Sequence, residues 1–226
     1  MMKAVIFDMD GTLIDSNDFH ARAWQEVLGR YGREVTFDEV RHQIGKGGDQ
    51  LMPVFLSEDE VERDGPRIEE ERTELFKREY LPRIEAFPMT RELFERVKRD
   101  GKQVVLASSS KQAELDEYKK IARIDDLIEE ATSSDDAEQS KPEPDIFRAA
   151  LAKLEGVAPE EAIVVGDTPY DAEAAGKAGL TTIGLLCGGF PEAELRASGC
   201  IAIFRDPADL LARYDESPLG RGRIPG

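Results

Sequence analysis

Five short apolar runs, each cut off by a polar or glycine turn, limit the folds open to this chain. Residues 3–7 lead at once into Asp8-Met9-Asp10-Gly11, and residues 104–107 stop at Ser108-Ser109-Ser110. Residues 162–165 stop at Gly166-Asp167, residues 181–186 before Gly188-Gly189, and residues 201–204 at Arg205-Asp206. Runs this short and this continuous read as strands buried on both faces. Helical stretches lie between them, with glycine stop signals at Gly101, Gly156 and Gly179 after residues 91–100, 145–155 and 170–178. The alternation predicts an α/β fold with a doubly wound, mostly parallel, Rossmann-like sheet.

Residues 17–83 break the alternation. No strand is legible there, and Phe19, Ala23, Val27 and Tyr31 share one helical face at i, i+4 spacing. Ser57 and Glu60 have the spacing of a capping box, and Pro66 is placed to open a charged helix running to about Tyr80. The expected organisation is a discontinuous core domain (1–16 and 84–214), a small α-helical domain inserted at 17–83, and a loosely ordered tail at 215–226 rich in Gly, Pro and Arg.

Composition excludes whole classes of partner. The formal net charge of −17 argues against nucleic acid and anionic membrane surfaces. The first residues carry acids too soon for a signal peptide or a membrane span, and Cys187 and Cys200 make no disulfide framework. A cytoplasmic protein is the expectation. An acidic chain that handled an anionic ligand would need local positive charge from a metal ion or a few placed lysines.

Polar residues gather at the carboxyl ends of the expected strands, where open α/β sheets bind ligands. Asp8 and Asp10 follow the first strand, Ser108 and Ser109 the second, and Asp167 the third run, with Asp171 four residues on. Lys141 lies in Ser140-Lys141-Pro142-Glu143-Pro144, a loop stiffened by two prolines. Asp8 at an ordinary carboxylate pKa is a potential nucleophile. Asp10 is a potential acid and base, provided its pKa is raised. Converging carboxylates repel one another, which a hard divalent cation such as Mg2+ relieves. Alone, each residue has an ordinary explanation: turn residues for Asp and Ser, a solvated lysine for Lys141.

Together, Phe7-Asp-Met-Asp-Gly-Thr-Leu-Ile-Asp-Ser16, a strand ending in Ser108, Lys141-Pro-Glu-Pro144 and Gly166-Asp-Thr-Pro-Tyr-Asp171 resemble the four ordered motifs of the haloacid dehalogenase-like superfamily. The helical insertion resembles the subgroup containing phosphoglycolate phosphatase and β-phosphoglucomutase. The resemblance implies that Asp8 forms an aspartyl-phosphate and that Asp10 serves as general acid and base while lending a backbone carbonyl to Mg2+. It implies that Ser108, Ser109 and Lys141 hold the phosphoryl group, that Asp8 and Asp167 ligate the metal, and that Asp171 supports the ligands from behind. An acid at position 10 favours a phosphate monoester of a small molecule over a haloacid or phosphonate.

Hydrolysis is expected, with a sugar phosphomutase as the alternative. Leu106-Ala-Ser-Ser-Ser-Lys111 is similar to the mutase, but Ile44-Gly-Lys-Gly-Gly48 lacks its arginine and Gly166 replaces its glutamate. Lys46, on a flexible glycine-flanked loop, and His20, on the first inserted helix, are candidate substrate contacts from the insertion, with a solvated turn lysine and packing between insertion and core as the alternatives. A receiver-type signalling domain also uses a phosphorylatable Asp and a Lys. It is about half this length, however, and places its Asp on a middle strand, where this chain has Ser108.

Overall fold

The computed structural model of the chain describes residues 2–128 and 130–221. Six strands form a single parallel sheet: β1 (Ala4–Phe7), β2 (Gln103–Ala107), β3 (Glu130–Thr132), β4 (Ala162–Gly166), β5 (Thr181–Leu185) and β6 (Cys200–Phe204), in the order β3-β2-β1-β4-β5-β6. The α/β expectation holds. Side chains alternate between two apolar layers. Val5 and Phe7 join Phe94, Leu106 and Val165 on one face, whereas Ala4 and Ile6 join Phe147, Val164 and Ala174 on the other. Such double burial explains why the strands read as unbroken apolar runs.

β3 escaped the sequence reading. It has three residues, sits at the sheet edge, and includes only one fully buried side chain, Thr132. Neither length nor apolar content marks so short an edge strand.

Between β1 and β2 the described chain is helical: α1 (Asn17–Arg30), α2 (Phe37–Arg41), α3 (Gly48–Phe55) and α4 (Glu58–Leu75), then a π-helical turn at Phe76–Tyr80. Ser57 caps α4 as expected, its backbone N–H donating to Glu60 Oε2 at 2.9 Å. Pro66 does not start a helix, however, because α4 runs straight through it. An internal proline forfeits a backbone hydrogen bond and costs about 3 kcal/mol. Burial of Gly65, Ile68, Arg72 and Leu75 along one face of α4 offsets that. The insertion leaves and rejoins the core side by side: Asp15 N–H donates to the Glu85 carbonyl and Phe87 N–H to the Leu13 carbonyl, both at 2.9 Å.

The remaining helices used below are α5 (Thr90–Arg99), α6 (Gln112–Ile121), α7 (Asp145–Ala152), α8 (Pro169–Lys177), α9 (Glu192–Ala197), α10 (Pro207–Ala212) and α11 (Pro218–Arg221). The last of these corrects the expected loose tail. Tyr214 and Leu219 are buried in the main core, and Arg96 stacks on the Tyr214 ring at 4.3 Å. Two apolar anchors close together outweigh the local Gly and Pro content. Residues 222–226 lie outside the described part. No helix among the described residues is long and apolar enough to cross a membrane.

Candidate active site

The strand order reverses between β1 and β4, so the loops after these neighbours open a crevice at their carboxyl ends. Phe7 pairs with Val165, and Asp8 N–H donates to the Val165 carbonyl at 2.9 Å. That register places Asp8 beside Gly166-Asp167. Asp8, Asp167 and Asp171 are all buried, with carboxylate oxygens within 4.8 Å of one another.

Lys141 enters this cluster from the loop before α7. Its Nζ lies 2.5 Å from Asp8 Oδ1 and 2.7 Å from Asp171 Oδ1, and the side chain is 1% exposed. Burial alone would lower its pKa, but Asp171 and Asp8 outweigh that and hold the ammonium above its ordinary value. Asp8 departs from the expectation of an ordinary carboxylate. Burial pushes its pKa well up, Lys141 opposes, and Asp171 and Asp167 push further up. Asp167 is pushed up to about 7, chiefly by burial and then by Asp171. Asp171 thus sits directly on Lys141, and it also accepts from Thr168 Oγ1 at 2.7 Å.

Asp10 faces a different set. It accepts from Ser16 Oγ at 2.6 Å and Ser110 Oγ at 2.9 Å, and His20 Nε2 lies 3.0 Å away. Burial would raise its pKa; the His20 charge and these hydrogen bonds win, and the pKa is lowered. This reverses the expected upward shift, because a carboxylate that accepts several hydrogen bonds is stabilised in its charged form. His20 stacks on Phe76 with ring centroids 4.0 Å apart, backs Asp10 and also lines the cavity. Lys46 lines the cavity, but its amine donates to Gln43 Oε1 at 2.6 Å and sits 4.7 Å from the Tyr170 ring centre. Ser108 is fully buried and accepts from Ser110 N–H, whereas Ser109 and Ser110 line the cavity.

Several residues here were not singled out from sequence. Thr12 Oγ1 sits between Asp167 Oδ1 (2.7 Å) and Asp8 Oδ2 (3.3 Å), and Asn17 Nδ2 donates to Asp167 Oδ2 at 2.8 Å. Asn17 opens α1, so its position one residue past the first motif was the available signal. Gly188 is the second. A Cβ there would overlap Asp167 Oδ2, and its carbonyl accepts from both Asn17 Nδ2 and Arg41. Gly188→Ala should therefore lower stability by about 1–3 kcal/mol, read as a shift in the urea unfolding midpoint; an unchanged midpoint would contradict the packing.

The cavity above these residues measures about 530 Å3 and is walled by both the sheet edge and the inserted helices, including Asp8, Asp10, Trp24, Gly47, Glu69 and Ser140. The insertion is tied down over it. Ser140 N–H donates to Asp49 at 3.1 Å, Tyr170 Oη to the His42 carbonyl at 2.5 Å, and Arg41 to the Gly188 carbonyl.

Residues 5–185 match the family described as haloacid dehalogenase-like hydrolase. The "Phosphorylated carbohydrates phosphatase" of Thermotoga maritima is 31% identical over 80% of this chain and 84% of its own length. "Phosphoglycolate phosphatase 1" of Pseudomonas aeruginosa is 32% identical over 90% of this chain and 78% of its own. The crystal structure of a hydrolase from Pseudomonas syringae superposes with a TM-score of 0.86 at 30% identity, covering 95% of this chain and 99% of that one. The strand order, the buried carboxylate and lysine cluster and these matches agree: the chain belongs to the haloacid dehalogenase-like hydrolase family.

Proposed function

We propose that this protein hydrolyses phosphate monoesters of small molecules, with Asp8 as nucleophile and Mg2+ as cofactor. The observation that carries the reading is Asp8 itself: a buried carboxylate at a strand end, 2.5 Å from Lys141 Nζ, on the wall of a substrate-sized cavity.

An Asp8 oxygen attacks phosphorus and forms an aspartyl-phosphate as the ester P–O bond breaks. Lys141 Nζ sits where it can offset charge on the transferring group. The departing oxygen takes a proton from Asp10, which His20 Nε2 backs at 3.0 Å. Water then attacks the phosphorus and returns a proton to Asp10. Phosphate leaves, and Asp8 is regenerated. Ser109 and Ser110 border the phosphoryl position, with Ser108 supporting the turn from beneath. The helices of residues 17–83 serve as a cap, and its ties to Ser140, Tyr170 and Gly188 keep bulk water out while the ester is bound.

The donor set fits a hard divalent cation. Three buried carboxylates face a single ammonium, and all their donors are oxygens. Asp8 and Asp167 would hold the ion together with the Asp10 backbone carbonyl, with Asp171 behind them on Lys141. When bound, it supplies positive charge to the phosphoryl oxygens and to Asp8.

A panel of phosphomonoesters assayed with and without Mg2+ tests this. Turnover that survives thorough chelation rules out the metal, and activity that appears only with a sugar bisphosphate favours the mutase. The proton also competes with the ion. Burial and Asp171 push the Asp167 carboxyl up to about 7, and Mg2+ binds its ionised form. The Mg2+ concentration for half-maximal activity should fall several-fold from pH 6 to pH 8, and a flat dependence would show that no proton on Asp167 competes with the ion in this range.

A further inference from the structure

The α4 wall of the cavity contains charge that the reaction above does not use. Arg72 is 8% exposed and lines the cavity together with Glu69. Its Nη2 donates to Glu69 Oε1 at 3.0 Å, and its Nη1 lies 4.0 Å from Oε2 of Glu114, itself 1% exposed. The guanidinium packs over Trp24, 5.4 Å from the ring centre, and over Phe76 at 5.9 Å. Much of the hydrogen-bonding capacity is unspent: Arg72 Nε and Nη1, Glu69 Oε2 and both Glu114 oxygens are buried without a hydrogen-bond partner. Charged groups left so are costly, and a chain that keeps them on a cavity wall has a use for them.

We infer that Glu69 and Arg72 select an uncharged, hydroxylated leaving group, a polyol or sugar alcohol. The inference rests on the phosphatase reading above. Glu69 on the wall and Glu114 buried behind it on α6 face one guanidinium, so the cluster has a formal charge of −1 and a second phosphate or a carboxylate on the substrate meets repulsion. A hydroxyl can donate to Glu69 and accept from Arg72, and Trp24 offers a flat apolar face to carbon-bound hydrogens. Lys46 is committed to Gln43 and the Tyr170 ring, and Lys111, the other lysine lining the cavity, shares it with Asp49 and Glu138. The cavity, at about 530 Å3, falls within the ~300–1,000 Å3 range that encloses ligands well above two carbons in size.

The test compares kcat/KM of the Mg2+-loaded wild type for sorbitol 6-phosphate, hexyl phosphate, fructose 1,6-bisphosphate and phosphoglycolate, with p-nitrophenyl phosphate as a general reporter. Sorbitol 6-phosphate should exceed each of the other three by about tenfold or more, since a site built to bond hydroxyls rejects analogues without them. Glu69→Gln should shrink the sorbitol 6-phosphate to fructose 1,6-bisphosphate ratio by about fivefold or more through KM, because the wall then loses its excess negative charge. A purely structural Glu69 would lower all substrates together and leave the ratio intact, which overturns the inference. So does a wild type that prefers the bisphosphate, phosphoglycolate or hexyl phosphate, a result that stands even if Glu69→Gln fails to fold. Turnover of p-nitrophenyl phosphate with a flat panel sinks this inference alone; no turnover of any ester sinks the phosphatase reading and this with it.

Discussion

Lys141→Met should cost the fold about 3–5 kcal/mol, the loss expected when one partner of a buried ion pair is removed. The ammonium is the buried counter-charge to both Asp8 and Asp171, at 2.5 and 2.7 Å. Methionine fills much of its volume but leaves two carboxylates facing each other and Asp167. The pH dependence gives a second readout. The carboxyl groups of Asp8 and Asp167 have raised pKa values in the folded protein, so between their unfolded and folded pKa values the unfolded state binds fewer protons. Stability then falls as pH rises through that window. Without Lys141 the fall steepens, so urea midpoints of the variant and the wild type should lie closer at pH 5 than at pH 8. Equal midpoints at both pH values would show that Lys141 does not neutralise this cluster.

Asp8→Asn should do the reverse: abolish turnover and spare the fold. Removing a nucleophile that acts in concert with its neighbours costs at least about 10^4-fold in kcat. An amide oxygen is too weak a nucleophile to form the acyl-phosphate. Lys141 would still keep Asp171 at 2.7 Å, so no buried ammonium is orphaned and the stability change should stay within about 1–2 kcal/mol. Acid quenching during turnover of a 32P-labelled ester should trap label on the wild type and none on the variant. A variant that keeps turning over removes Asp8 from the nucleophile's place. One that unfolds contradicts the claim that Asp171 suffices for Lys141.

These two substitutions also show where sequence reading reached and where it stopped. Asp8, Lys141, Asp167 and Asp171 could be found because they follow strand ends, sit in a rigid loop or open the next helix, and parallel sheets gather such positions on one edge. The protonation states could not be found that way. Asp8 and Asp10 lie two residues apart with the same side chain, yet burial among other carboxylates raises one and three donors lower the other. Of those donors, Ser16 and His20 lie a turn apart at the start of α1, but Ser110 comes from a distant stretch of chain that only tertiary packing brings in. Arg72 and Glu114 were hidden for the same reason: charged residues in helices are usually solvated, and nothing local marks these two as buried. Pro66 misled because its local preference lost to the apolar face of α4, and the tail misled because Tyr214 and Leu219 anchor it.

The paired crossing at Leu13–Asp15 and Glu85–Phe87 has a consequence for how such a protein can change over time. With both ends of the inserted segment pinned a hydrogen bond apart, the core meets it only as a closed loop. Closure entropy grows slowly with length, by ~0.6 kcal/mol for each doubling. Helices could be lengthened, shortened or exchanged between these stitches while β1 and β2 keep their register. The catalytic edge can thus stay fixed as the wall bearing Glu69 and Arg72 drifts, and a lineage could trade one alcohol for another without rebuilding the sheet.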